Sequence, residues 1–124
     1  MRTLETFVRE GTSASYEGLV ADDVDLRPAF EVTGGTSFAG PEGVVSFMRQ
    51  WTEAFDDWAL EVDELLDAGE AVVARLRQSA RGRESGAPVE NLFGIVFRLQ
   101  GGQIVRIKSY LTIAEALEAA GLRE

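Results

Sequence analysis

At 124 residues, with 45% hydrophobic and 27% charged side chains, the chain is sized and composed for one folded domain over 1–124 with a sizeable core. It has no cysteine and no histidine, which excludes disulfides, thiol nucleophiles and His-dependent triads and argues against zinc; no metal or cofactor is implied. The net charge of −9 argues against a nucleic-acid partner, because phosphate recognition needs a basic surface.

In chain order, 2–10 reads as a short helix and "TSASYEGLV" (12–20) as a second, capped by Thr12 or Ser13. The leading "MRTLETFVREG" has no secretory pattern and no apolar run approaches the ~20 residues of a membrane span, so no membrane partner is expected and a cytoplasmic location follows by default. "DDVDLRPAFEV" turns extended because Pro28 cannot continue a helix, "TGGT" (33–36) is a turn, and "TSFAG" a short return strand.

The clearest helix follows, with Gly40 as N-cap, Pro41 at its first position and Glu42 at the positive end. Val44, Phe47, Met48, Trp51 and Phe55 fall on one stripe at helical spacing. From Trp58 the period switches to two, predicting strands over 58–66, 71–80, 88–99 and 103–111, with hairpin turns at "DAGE" and "LQGGQI". A closing helix carries a Thr112/Glu115 capping box, Gly121 at the left-handed end and Leu122 folding back on Leu117. This is an α+β order: helices, a meandering antiparallel sheet, a short C-terminal helix.

Strand alternation assigns the faces. Inward go Trp58, Leu60, Val62 and Leu66; Val72, Ala74 and Leu76; Val89, Phe93, Ile95, Phe97 and Leu99; and Val105, Ile107, Ser109 and Leu111. The last set requires a three-residue loop at 101–103, since a two-residue turn would send Arg106 and Lys108 inward. Residues 75–108 hold 7 basic and 2 acidic side chains against 4 basic and 16 acidic in 1–74. Pairing of Glu61 and Asp63 with Arg75 and Arg77 on the outer face is the simpler account of this asymmetry, an anion site the other. A polar set remains inside, Glu64, Gln78, Asn91 and Ser109, and marks either a hydrogen-bonded core network or a cavity wall.

Five segments together span nearly the whole chain: "ADDVDLRP" (21–28), "FAGPEGVVSFMRQW" (38–51), "SGAPVE" (85–90), "GGQIVRIKSYL" (101–111) and "EALEAAGL" (115–122). In these the chain resembles the SnoaL-like branch of the nuclear transport factor 2-like superfamily. The resemblance implies a cone-shaped curved sheet wrapped around N-terminal helices and one long helix, open at one end to a small, mostly apolar molecule. It also implies a homodimer through the outer sheet face, where Leu92, Val96, Ile104 and Tyr110 lie beside Arg98, Arg106 and Lys108.

The family's steroid isomerases, polyketide cyclases and epoxide hydrolases carry catalytic patterns from which this chain departs. Arg27 stands where the isomerase base precedes a proline, and Ile95 where its proton-donating acid stands. Ile107 and Thr112 replace the cyclase His and Asp, and Arg75-Leu76-Arg77 lacks the hydrolase acid.

Two functions are expected on this basis. One is a binding domain for a small apolar ligand acting as an isomerase- or cyclase-like enzyme, with Glu64 carrying protons and Arg27 stabilising an enolate. The other is a noncatalytic dimeric binding or scaffold module. In either case Phe47, Trp51, Phe93, Ile95 and Leu111 are expected to wall the pocket, while Gln78, Asn91 and Ser109 orient a carbonyl or hydroxyl.

Overall fold

The computed structural model describes residues 20–28, 38–53 and 55–122. Six strands form one mixed sheet in the order β2-β1-β6-β5-β4-β3. They are β1 (Val20–Arg27), β2 (Phe38–Ala39), β3 (Phe55–Asp67), β4 (Ala71–Gly82), β5 (Pro88–Gln100) and β6 (Gln103–Tyr110). Helix α1 (Gly40–Glu53) lies on the inner face and helix α2 (Ile113–Ala119) on the outer. The expected meander β3 to β6 is present and wholly antiparallel; β1 joins β6 in parallel and β2 pairs antiparallel with β1. The expected helices over 2–10 and 12–19 and the turn at 33–36 lie outside the described residues, while Val20 already belongs to β1, paired with Ile104.

Gly40 turns the chain from β2 into α1 at φ 75°, in the left-handed region open to glycine. The helix then buries Val44, Phe47 and Trp51 at helical spacing. Opposite them the sheet presents Val24, Leu26, Val72, Ala74, Leu76, Phe93, Ile95, Phe97, Ile104 and Ile107 as one apolar core. A smaller cluster forms behind the sheet, where Ala116 and Leu117 of α2 cover Ala71, Val73 and Val96. The middle of β4 and β5 is therefore covered on both sides. Ala71–Ala74 and Phe93–Phe97 read as unbroken buried runs rather than alternating ones.

Two β-bulges correct the expected alternation. Between Val62↔Leu76 and Glu64↔Arg75, β3 holds one residue more than β4. From Glu64 onward every side chain changes face: Glu64 is exposed, Leu65 rather than Leu66 joins the inner core, and Leu66 packs behind the sheet. Between Leu99↔Ile104 and Arg98↔Arg106, Val105 is likewise extra. The turn is thus the two-residue one, Gly101 and Gly102 at φ 60° and 81°, as the right-handed strand twist favours. The bulge lets Ile104 and Ile107 both face inward while Arg106 and Lys108 stay outside.

The outer face also differs from expectation. Ile104 is 0% exposed on the inner side and Val96 is 2% exposed beneath α2. Tyr110 is half-buried, and of the four apolar residues only Leu92, at 54%, faces solvent. On that face α2 covers Val96 and packs with Tyr110, while Leu92, Arg106 and Lys108 stand exposed. No described helix is long and apolar enough to cross a membrane.

The ends of α2 follow the sequence closely. Thr112 Oγ1 accepts from the Glu115 N–H at 3.2 Å and donates to Glu115 Oε1 at 3.0 Å. The Gly121 N–H donates to the Glu118 carbonyl at 3.0 Å and the Leu122 N–H to the Leu117 carbonyl at 2.8 Å, a Schellman closure with Gly121 at φ 81°. Arg98 Nη2 reaches the Ala119 carbonyl at 3.0 Å, placing a cation at the negative helix end. The helix sits so close to β5 that a Cβ on Gly94 would lie 2.6 Å from the Ala116 Cβ.

Two stability predictions follow from this docking. Thr112→Ala and Gly121→Ala each cost about 1 kcal/mol, through a lost cap bond and a left-handed backbone forced on a Cβ, and lower the melting temperature by about 4 °C. Gly94→Ala must push α2 off the sheet and costs more, about 1–3 kcal/mol. Urea melts of the three variants check both the size and the order of these effects.

Candidate functional site

At one end of the concave face, α1 brings Trp51 against the sheet. Its indole meets Phe47 at 5.7 Å between centroids, Trp58 edge-on at 5.2 Å and Phe93 edge-on at 5.8 Å, and Phe47 in turn packs on Phe38 at 5.4 Å. Such tilted and edge-to-face pairs are the favoured aromatic arrangement. This pile fills the space between helix and sheet from Phe38 to Trp51.

Beside it runs a line of polar groups across three strands. Trp58 Nε1 of β3 donates to Gln78 Oε1 of β4 at 2.9 Å, and Gln78 Nε2 donates to Asn91 Oδ1 of β5 at 2.9 Å. Gln78 and Asn91 are direct cross-strand partners. Gln78 is 5% exposed, the one polar side chain found in the core among the described residues. Its burial is tolerable because both ends of its amide are bonded. The expected inward polar set thus holds for Gln78, Asn91 and Ser109, and fails for Glu64.

Trp51, Gln78, Asn91, Phe93, Ser109, Tyr110 and Leu111 line a partly open recess of about 50 Å³. That is a third of the ~150 Å³ cavity that takes up benzene. Six of the eight residues expected to form a pocket are therefore brought together. Phe47 and Ile95, at 5% and 9% exposure, are buried in the core and do not line this recess. Leu111 is 64% exposed and forms an apolar shelf at the mouth. Tyr110 keeps the outward facing expected from strand parity, packed with the α2 cluster and 5.3 Å from the Lys108 ammonium, and also borders the recess.

The two residues expected to do chemistry lie elsewhere. Glu64 is exposed on β3, opposite Arg75, carried out by the bulge at Asp63. Arg27 faces solvent and binds Asp25 Oδ2 at 2.8 Å, an acid that Arg106 also approaches at 3.9 Å. Three of the remaining basic residues enter ion pairs at the surface. Arg77 lies 3.6 Å from Asp63 and 3.8 Å from Glu90, Arg81 3.8 Å from Asp57, and Arg83 3.3 Å from Asp56. Cross-strand pairing accounts for these, each worth at most about 1 kcal/mol at such exposure.

Comparison with known proteins places this geometry in context. A hypothetical protein with a ketosteroid isomerase-like fold from Catenulispora acidiphila DSM 44928, in complex with trimethylamine, superposes with TM-score 0.72 at 14% identity, covering 98% of this chain and 91% of that one. TerC, co-crystallized with polyporic acid, gives TM-score 0.74 at 13% identity and 97% and 96% coverage. A de novo designed protein with a curved β-sheet gives 0.68 at 23% identity and 97% and 89% coverage. At these identities the likeness is one of fold. No curated protein sequence matches the chain. The SnoaL-like domain family matches residues 2–107, most of the chain and all of the sheet up to Ile107. The chain belongs to the SnoaL-like domain family.

Proposed function

We propose that the protein is a small-molecule-binding domain whose ligand enters the recess by a polar end and lays an apolar body over Leu111. One observation carries this reading: an aromatic floor, Trp51 and Phe93, meets a buried amide line that ends at the recess mouth on Asn91. Apolar walls with a few convergent polar groups are the common form of a ligand site. The size of the recess limits entry to a polar group and a few attached atoms, so a flat polycyclic molecule would sit across the mouth rather than in the interior. The bound trimethylamine and polyporic acid of the two relatives support the reading, since the same fold receives small molecules in both. Proton transfer by Glu64 with Arg27 gains no support from the geometry, because both side chains lie in solvent on positions outside the recess.

The chain's two tryptophans are both here, Trp51 in the wall and Trp58 edge-on to it, so tryptophan emission reports occupancy directly. Titration with a panel of steroids, phenolic polyketides and terpenoid ketones is expected to find compounds that change the emission saturably and raise the melting temperature. Ser109→Leu, which fills the recess, abolishes that response. Glu64→Gln and Arg27→Gln leave the dissociation constant within about twofold, as surface changes do. A panel that moves neither emission nor melting temperature removes the binding reading.

A further inference from the structure

We propose that the recess selects ligands that present a hydrogen-bond acceptor, a carbonyl oxygen above all, and that Trp58 sets this preference from outside through Gln78 and Asn91. The inference rests on the reading of the recess as a ligand site and adds the chemistry of the group it receives.

An indole N–H can only donate, whereas a primary amide has one accepting and one donating end that can be exchanged by a flip. Trp58 Nε1, 2.9 Å from the Gln78 amide, therefore forces Gln78 to turn its oxygen toward the indole. The Gln78 nitrogen is then aimed at Asn91, 2.9 Å away, and Asn91 must answer with its own oxygen. Flipping Gln78 would set two donors against each other at Trp58 and two acceptors against each other at Asn91. At 5% exposure Gln78 has no access to water that would repair the loss.

The indole itself is held by its edge-on contact with Trp51 at 5.2 Å. Polarity thus runs one way, from Trp58 through Gln78 to Asn91, and ends on the Asn91 Nδ2 hydrogens at the mouth of the recess, which meet no protein acceptor among the described residues. Asn91 is exposed and lines the recess, so these hydrogens are within reach of an entering molecule. Of the other polar side chains on the inner wall, Gln78 commits its oxygen to Trp58, and the Ser109 hydroxyl can both donate and accept and so does not discriminate. Trp58 is a positioning residue here: it does not line the recess, and acts by fixing which end of Asn91 faces out.

Three probes of one shape separate the possibilities: cyclopentanone, which accepts; protonated cyclopentylamine, which only donates; and methylcyclopentane, which does neither. Each is titrated into the full chain, with binding read from the side-chain amide and indole NMR signals. The ketone is expected to bind about 3- to 10-fold more tightly than the hydrocarbon, with the amine weakest. Asn91→Asp replaces the donor by an oxygen at an exposed position and is expected to reverse the order of ketone and amine. Trp58→Phe keeps a ring but removes the donor, and is expected to erase the ketone advantage while hydrocarbon binding persists.

Equal binding of ketone and hydrocarbon by the wild type, or an unchanged order in Asn91→Asp, overturns the proposal and leaves the ligand site standing. A full ketone preference in Trp58→Phe overturns the role of the indole. Silence of the recess signals to all three probes overturns the ligand site itself, and the proposal with it.

Discussion

Everything in this molecule depends on one helix being seated in a concave sheet. Val44, Phe47 and Trp51 form the only broad apolar stripe on α1, and the sheet must curve far enough for Val24 and Leu26 at one side and Leu76 and Phe93 at the other to reach it. Burial of each large side chain is worth about 1.5–3 kcal/mol. The stripe therefore drives the curvature, and the bulges in β3 and β6 relieve the strain a continuous ladder would resist. The recess lies at the end of the stripe, beyond Trp51, the last buried side chain of α1.

Much of this was legible in the residues. The 3.6-residue spacing from Val44 to Trp51 and the switch to alternation at Trp58 located the helix and the meander, while the Thr112 and Gly121 signals located both ends of α2. The alternation of β4 and β5 also put Gln78 and Asn91 on the inner face, because those two strands pair without a break from Ala71↔Arg98 to Arg81↔Pro88. What failed was parity past a bulge. A bulge is set by the fit of the whole sheet, and Asp63 and Val105 carry no local mark that distinguishes them from their neighbours. Glu64 and Ile104 were misplaced for that reason alone, and with Glu64 went the expected proton carrier. Periodicity likewise shows that Phe47 and Ile95 face inward, but not which inward side chains border the recess and which are buried beside it.

The polar line across β3, β4 and β5 has a different standing from the surface ion pairs around it. Arg77, Arg81 and Arg83 sit at 43–60% side-chain exposure, where solvent screens their partners and rearrangement is cheap. Gln78 has no such freedom. Its two bonds are shielded by the core, and losing either leaves a buried amide unsatisfied, at a cost of about 1–3 kcal/mol. The structure thus concentrates its polar specificity in three neutral side chains while its many charges serve the surface.

The bulge that carries Glu64 outward also has a consequence for how copies of this chain behave in a crowded solution. β3 ends the strand order, and at 13 residues it is a long free edge of the kind onto which another chain can zip. Its ladder is interrupted twice, once on either side of Ala59–Val62, and Asp56, Asp57, Glu61, Asp63 and Glu64 all stand exposed along it. A second β3 approaching that edge would meet mismatched hydrogen-bond spacing and a row of like charges. The irregularities that make this strand hard to read are the same ones that keep it from templating aggregation.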